Sequence, residues 1–231
     1  MEAKLQLGLI LLVDKKRRVL GGEDPFPWKL PSFRSLYTSI TMNAGVVIMG
    51  RSFYEQRIAT IYTHNERIKA MEEDRAVYAA RLTFFSDRRV IVLSGGKIQI
   101  DPFEEERIYS VAEPNAAIQK AANLAAKRNS LSACVIGGIK TFETFLPYID
   151  RVHLFEVDMP EGVDEDRRMD VASIQGLPLE TWHNLRSVKL TGNHDDFPVS
   201  YTMHSRLPPR SATASNMLPS VGRTAKTAVL T

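Results

Sequence analysis

A single cysteine, Cys134, occurs in the 231 residues, so no disulfide framework holds this chain together. Cys134 precedes Val135-Ile136 in a strand-like run, which suits a buried, inert thiol. Apolar runs are short: Leu7–Val13 falls far below the ~20 residues of a bilayer span and carries no cleavage pattern. The opening residues, Met1-Glu2-Ala3-Lys4, do not look like an Arg-rich transit peptide. The expectation is cytoplasmic residence by default, with an organellar matrix as the alternative. Charge of one sign is scarce too. A net +3 is too mild to argue for nucleic acid. The five histidines, His64, His153, His183, His194 and His204, lack metal-ligand spacing, and no Ser/His/Asp or Cys/His arrangement offers a nucleophile. Two local absences stand out: no acid occurs from Pro25 to Tyr54, and none from Leu207 to Thr231.

What is present fits one globular domain. Hydrophobic residues make up 44% and charged residues 25% of the chain. Residues 1–206 read as the domain. Residues 207–231, rich in Pro, Ser, Thr and Ala with Arg210, Arg223 and Lys226, read as a disordered-type basic tail. Leu5–Val13 reads as a central strand, Asp14–Arg18 as a solvated charged bend, and Ser32–Met42 as a helix with Phe33, Leu36, Tyr37 and Ile40 on one face. Ser52 is placed to cap a further helix. Residues 65–82 read as an amphipathic helix. Strands are expected at Arg88–Gly95, Ala133–Ile136 and Arg151–Val157, an edge strand near Ile98–Ile108, and a terminal antiparallel pair at Leu179–Leu190 and Val199–Arg206. Asn115–Arg128 and Thr141–Phe145 are helical. This alternation gives an α/β class: a mostly parallel sheet with flanking helices, a helical insertion and an antiparallel C-terminal edge.

The stretch around which the rest is organised is Gly21–Arg51. In Pro27-Trp28-Lys29-Leu30-Pro31 each proline fixes backbone direction, and the second sits where a helix begins. The run Val46-Val47-Ile48-Met49 reads as a buried parallel strand, closed by Gly50-Arg51. A turn opening a helix at the C-terminal end of such a strand suits a phosphate.

These residues resemble the dihydrofolate reductase family. The matching motifs, in order, are Val19-Leu20-Gly21, Pro27-Trp28-Lys29-Leu30-Pro31, Val47-Ile48-Met49-Gly50-Arg51, Val90–Ser94, Val135-Ile136-Gly137-Gly138 with Phe145-Leu146-Pro147, and Tyr201-x-Met203. The resemblance covers residues 5 to 207. It implies a mobile loop at 21–26, a cofactor, NADPH, and no metal. NADPH would be held by Gly50, Arg51, Ser52, Ser94, Gly137, Gly138 and Lys140. The resemblance also marks an insertion at 58–82, either an extra layer or a partner-binding surface. The tail is expected to dock on a partner in a larger assembly.

The same resemblance marks what has changed. The family acid that supports protonation of the pterin falls on Phe33, and the threonine that hydrogen-bonds it falls on Phe155. The small alanine of the first strand falls on Leu12, the tyrosine after the two glycines on Phe142, and the threonine after Gly-Arg-x on Phe53. With Trp28, these define a degenerate pterin pocket of apolar side chains. Removing both members of a polar pair can be neutral, whereas stranding one costs about 1–3 kcal/mol. Arg88 falls where the family holds the glutamate tail of folate, but in a filled pocket it reads as a surface arginine. The expected function is a catalytically degenerate relative, kept as a structural or assembly subunit that still binds NADP(H). The alternative is a working NADPH-dependent reductase with a relocated proton donor, with Glu23 or Asp24 as candidates.

Overall fold

In the computed structural model of the chain, which describes residues 4–16, 19–20, 28–75, 85–100, 105–160, 168–169, 179–190, 192 and 194–207, the first apolar run forms the middle of a ten-stranded sheet. Strand β1 (Gln6–Asp14) is buried on both faces. Its parallel neighbours are β6 (Ser132–Gly137) and β7 (Arg151–Val157). That explains why its sequence is continuously apolar rather than alternating. Beyond β6 lie β3 (Val46–Gly50), β4 (Arg89–Leu93) and β5 (Ile108–Val111), all parallel. Beyond β7 lie β10 (Val199–Ser205) and β9 (His183–Leu190), antiparallel. A short β2 (Val19–Leu20) folds back on β1 and pairs β8 (Arg168–Met169).

The pleat sorts β1 between two cores. Leu7, Leu9, Leu11 and Val13 pack with α3 (Pro114–Ala126) and α4 (Ile139–Phe145). Ile10 and Leu12 face the other layer, with α1 (Pro31–Ala44) and the first turns of α2 (Arg51–Arg75). Helix α1 starts on Pro31 and stops at Gly45, whose φ of 72° gives the left-handed turn that ends helices.

Several expectations need correction. Helix α2 begins directly after β3 and runs unbroken through Ile58 and Asn65, so Ser52 sits within its first turn rather than capping it. Residues 76–82 of the expected insertion lie outside the described residues, as do the loop at 21–26 and all of the tail except Leu207. Ile98 and Ile100 pack against the core without strand pairing; the edge strand is β5. Leu179–Thr181 is a 3-10 turn that precedes β9. Asp14 is 3% exposed rather than solvated, because β1 continues through it to pair with Val157. Among the described residues no helix is long and apolar enough to cross a membrane.

Candidate functional site: a filled cleft and a covered glycine turn

Leu12 and Phe155 are register partners on neighbouring parallel strands and face the same layer. Phe155 is completely buried. Above it, Phe33 of α1 meets it edge to face, with ring centroids 4.9 Å apart at 83°. Tyr201 of β10 closes on Phe155 from the side at 5.0 Å, and Tyr37 stands 5.5 Å from Phe33. These separations are those of favourable aromatic pairs. Trp28 extends the wall, with its ring 6.1 Å from that of Phe197. One residue pair from Phe155, the His153 Nδ1 and Tyr201 hydroxyl share a hydrogen bond of 2.8 Å. Burial, aided by Arg151, pushes the His153 imidazole down to about 4. Burial also raises the Tyr37 phenol well above its ordinary range.

Phe142 is not part of this wall. It packs in the opposite layer with Phe145 and Trp182, because α4 lies on the other face of the sheet. Arg88 is not a surface residue. It is 8% exposed, donates to Thr41 Oγ1 of α1 at 2.8 Å and to the Ser86 carbonyl at 3.2 Å, and lies 4.7 Å over the Phe85 ring. Glu23 and Asp24 lie outside the described residues.

The start of α1 holds a feature the sequence reading missed. Its first turn has no acid, and no side chain caps it from its own N-cap position. Asp195 does so from the far end of the chain, accepting hydrogen bonds from the Ser32 backbone N–H at 3.0 Å and from the Ser32 hydroxyl. Asp196 accepts from the Lys29 N–H at 2.7 Å and returns a backbone bond to the Lys29 carbonyl at 2.8 Å. A carboxylate there serves the orphan N–H groups and the positive end of the helix. A side chain on Gly192 would come within 2.6 Å of the Asp195 carboxylate, so glycine is needed for this approach. The absence of acid from Pro25 to Tyr54, set against Gly192 and Asp195, is the signal that pointed to it.

On the other side of the same layer, β3 and β6 are neighbours, and Met49 pairs with Gly137. The Gly50-Arg51 and Gly137-Gly138 turns therefore lie side by side. Gly138 has φ 86°, a left-handed conformation that glycine alone adopts without cost. Arg51 is tied to Glu55, Nε to Oε1 at 2.6 Å, one helical turn on. Ser94 closes its own turn: its hydroxyl donates to the Gly96 carbonyl at 2.8 Å and accepts from the Gly96 N–H at 3.2 Å. Ser52 and Lys140 are exposed.

The face of Gly137 is already taken. Phe53, in the first turn of α2, lies so close that a Cβ built on Gly137 would stand 2.6 Å from both Phe53 Cδ atoms. No real side chain would tolerate this, so the absent side chain of Gly137 makes room for the Phe53 ring. A pyrophosphate approaching the same backbone meets that ring, so a dinucleotide lying against Gly137 does not fit this arrangement.

Two hollows lie elsewhere. One, of about 180 Å³, is bordered by Gly8, Asn43, Arg151 and His153, and an open groove of about 510 Å³ runs along Tyr54, Ile58 and Tyr62. Neither is lined by Leu12, Phe33 or Phe155. Among the described residues, no three His, Cys, Asp or Glu side chains are grouped to hold a metal ion.

No family model matches the sequence, and no curated protein matches it. Among solved structures, the fold is similar to that of dihydrofolate reductase from Enterococcus faecalis complexed with NADP(H) and RAB-propyl, with a TM-score of 0.58. Identity is 15%, over 87% of this chain and 95% of that one. At that identity the likeness is one of architecture, and the architecture is a dihydrofolate-reductase-like α/β sheet.

Proposed function

We propose that this protein is a non-catalytic relative built on the dihydrofolate reductase fold, retained as a structural or assembly subunit. The observation that carries this reading is the Phe33–Phe155 contact at 4.9 Å. Two rings occupy the positions that the resemblance gives to an acid and its threonine. Loss of a positioned proton donor alone costs about 10²–10⁴-fold in rate, and loss of the volume removes the substrate as well. NADP(H) is bound in the Enterococcus protein. Here the retained Gly50-Arg51 and Gly137-Gly138 turns favour a cofactor, while Phe53 over Gly137 opposes one lying in the same way.

The test is absorbance loss on mixing the purified protein with NADPH and dihydrofolate. No turnover above the uncatalysed rate is expected; turnover that follows the protein concentration would sink this reading.

A second reading, an active reductase with a relocated proton donor, draws on Asp14. Among the described residues it is the one buried acid, two positions beyond Leu12 on the same face of β1. Turnover that disappears in Asp14→Asn would favour it. The assembly role rests on α2, which is 25 residues long, and on the acid-free tail. Size-exclusion mass of the full chain against a 1–206 form checks it: a larger species lost with the tail is the expected result.

A further inference from the structure

We infer that Phe53 is a built-in plug of the glycine crevice between β3 and β6, and that this one ring keeps a dinucleotide phosphate out. The inference rests on the non-catalytic reading but is tested separately from it. Glycine is required at position 137 by the chain itself. The Phe53 ring lies flat against its backbone, where any Cβ would collide with Cγ and both Cδ atoms. At the neighbouring strand ends the elements of an anion site remain, and each is engaged in a local contact. Arg51 pairs with Glu55 at the exposed surface, and Ser94 bonds within its own turn. Gly50 approaches Thr141, and Gly138 keeps its left-handed turn. Arg51 instead reaches toward the turn after β4, its Nη1 3.0 Å from where a Cβ on Gly96 would stand. What separates this cleft from an open one is a half-buried phenyl ring on the first turn of α2.

The probe is NADPH fluorescence on titration into the full-length protein and into Phe53→Ala, with Gly137→Ala and the double variant as structural controls. The wild type is expected to bind weakly or not at all. Phe53→Ala is expected to bind about ten- to a hundredfold more tightly, the affinity equivalent of no longer displacing one buried ring. Gly137→Ala is expected to lower the Tm of the wild type and to do so much less in the Phe53→Ala background. Tight binding by the wild type that Phe53→Ala leaves unchanged overturns the plug. So does NADPH binding by neither protein, or an equal Tm loss from Gly137→Ala in both backgrounds. Dihydrofolate turnover by the wild type would instead strike the non-catalytic reading, and the outcome of the titration would stand on its own.

Discussion

The two sides of the cleft layer have been closed by different means. Beside α1, closure is distributed: Leu12, Phe33, Phe155 and Tyr201 come from four elements, and each supports the next. Beside α2, a glycine turn is left without side chains and a single ring lies over it. Apolar packing that has grown into the core is hard to reverse, because each ring is now part of the protein's stability. A ring at the rim is reversible, because it contributes little that its neighbours depend on.

This contrast sets the order of the expected effects. Phe155→Ala should cost most, about 3–5 kcal/mol, since Phe155 is fully buried and its loss leaves a cavity beneath Phe33. Chemical denaturation measures it, and a cost below about 1 kcal/mol would show that the layer around Phe33 is not a packed core.

The next effect depends on pH. The imidazole of His153 is pushed from 6.5 down to about 4, so between those values the unfolded chain holds more protons than the folded one. Stability is therefore complete above pH 6.5, falls as pH drops through the unfolded value, and levels off below the folded one. The full loss is at most about 3 kcal/mol. His153→Gln, which keeps a partner for Tyr201, should flatten the denaturation midpoint across that window. An unchanged slope would mean that His153 is not the group responsible.

Phe53→Ala should cost less, about 1–2 kcal/mol, because the ring is only half-buried. A cost equal to that of Phe155→Ala would erase the distinction between the two sides. Smallest is Asp195→Ala, which removes the remote cap of α1 and should cost about 1 kcal/mol. Thermal unfolding measures it, and Ser32→Ala should add little on top, because the one hydroxyl bond it removes is already lost with Asp195.

The architecture was legible in the sequence wherever a run had only one way to be buried. Val46–Met49 and Leu7–Val13, apolar at every position, had to be central parallel strands, and they are. The substitutions at Phe33 and Phe155 could be placed because prolines and glycines fix the register around them. What could not be read depended on where chain segments distant in sequence meet. Arg88 looks like a surface charge until Thr41 and Phe85 are brought to it. Phe142 packs on the same sheet as Phe155 but from a helix on the other face. The start of α2 was misplaced because nothing in Gly50-Arg51-Ser52 marks the boundary, and the seat of Phe53 on Gly137 follows from that boundary alone. Asp195 shows no role in the sequence because its partner, Ser32, is 163 positions away.

The place of β1 in the sheet has a consequence for how the protein is made. The central strand β1 precedes both of its long neighbours, which come from residues 132–157. Until those residues have emerged, the apolar run Leu7–Val13 has only the two-residue β2 to pair with. It is therefore exposed to aggregation or to capture by chaperones. The clamp of Asp195 and Asp196 on Lys29 and Ser32 closes later still. Contacts of such long range slow folding, so a nascent chain stalled before residue 132 should be the form most in need of protection.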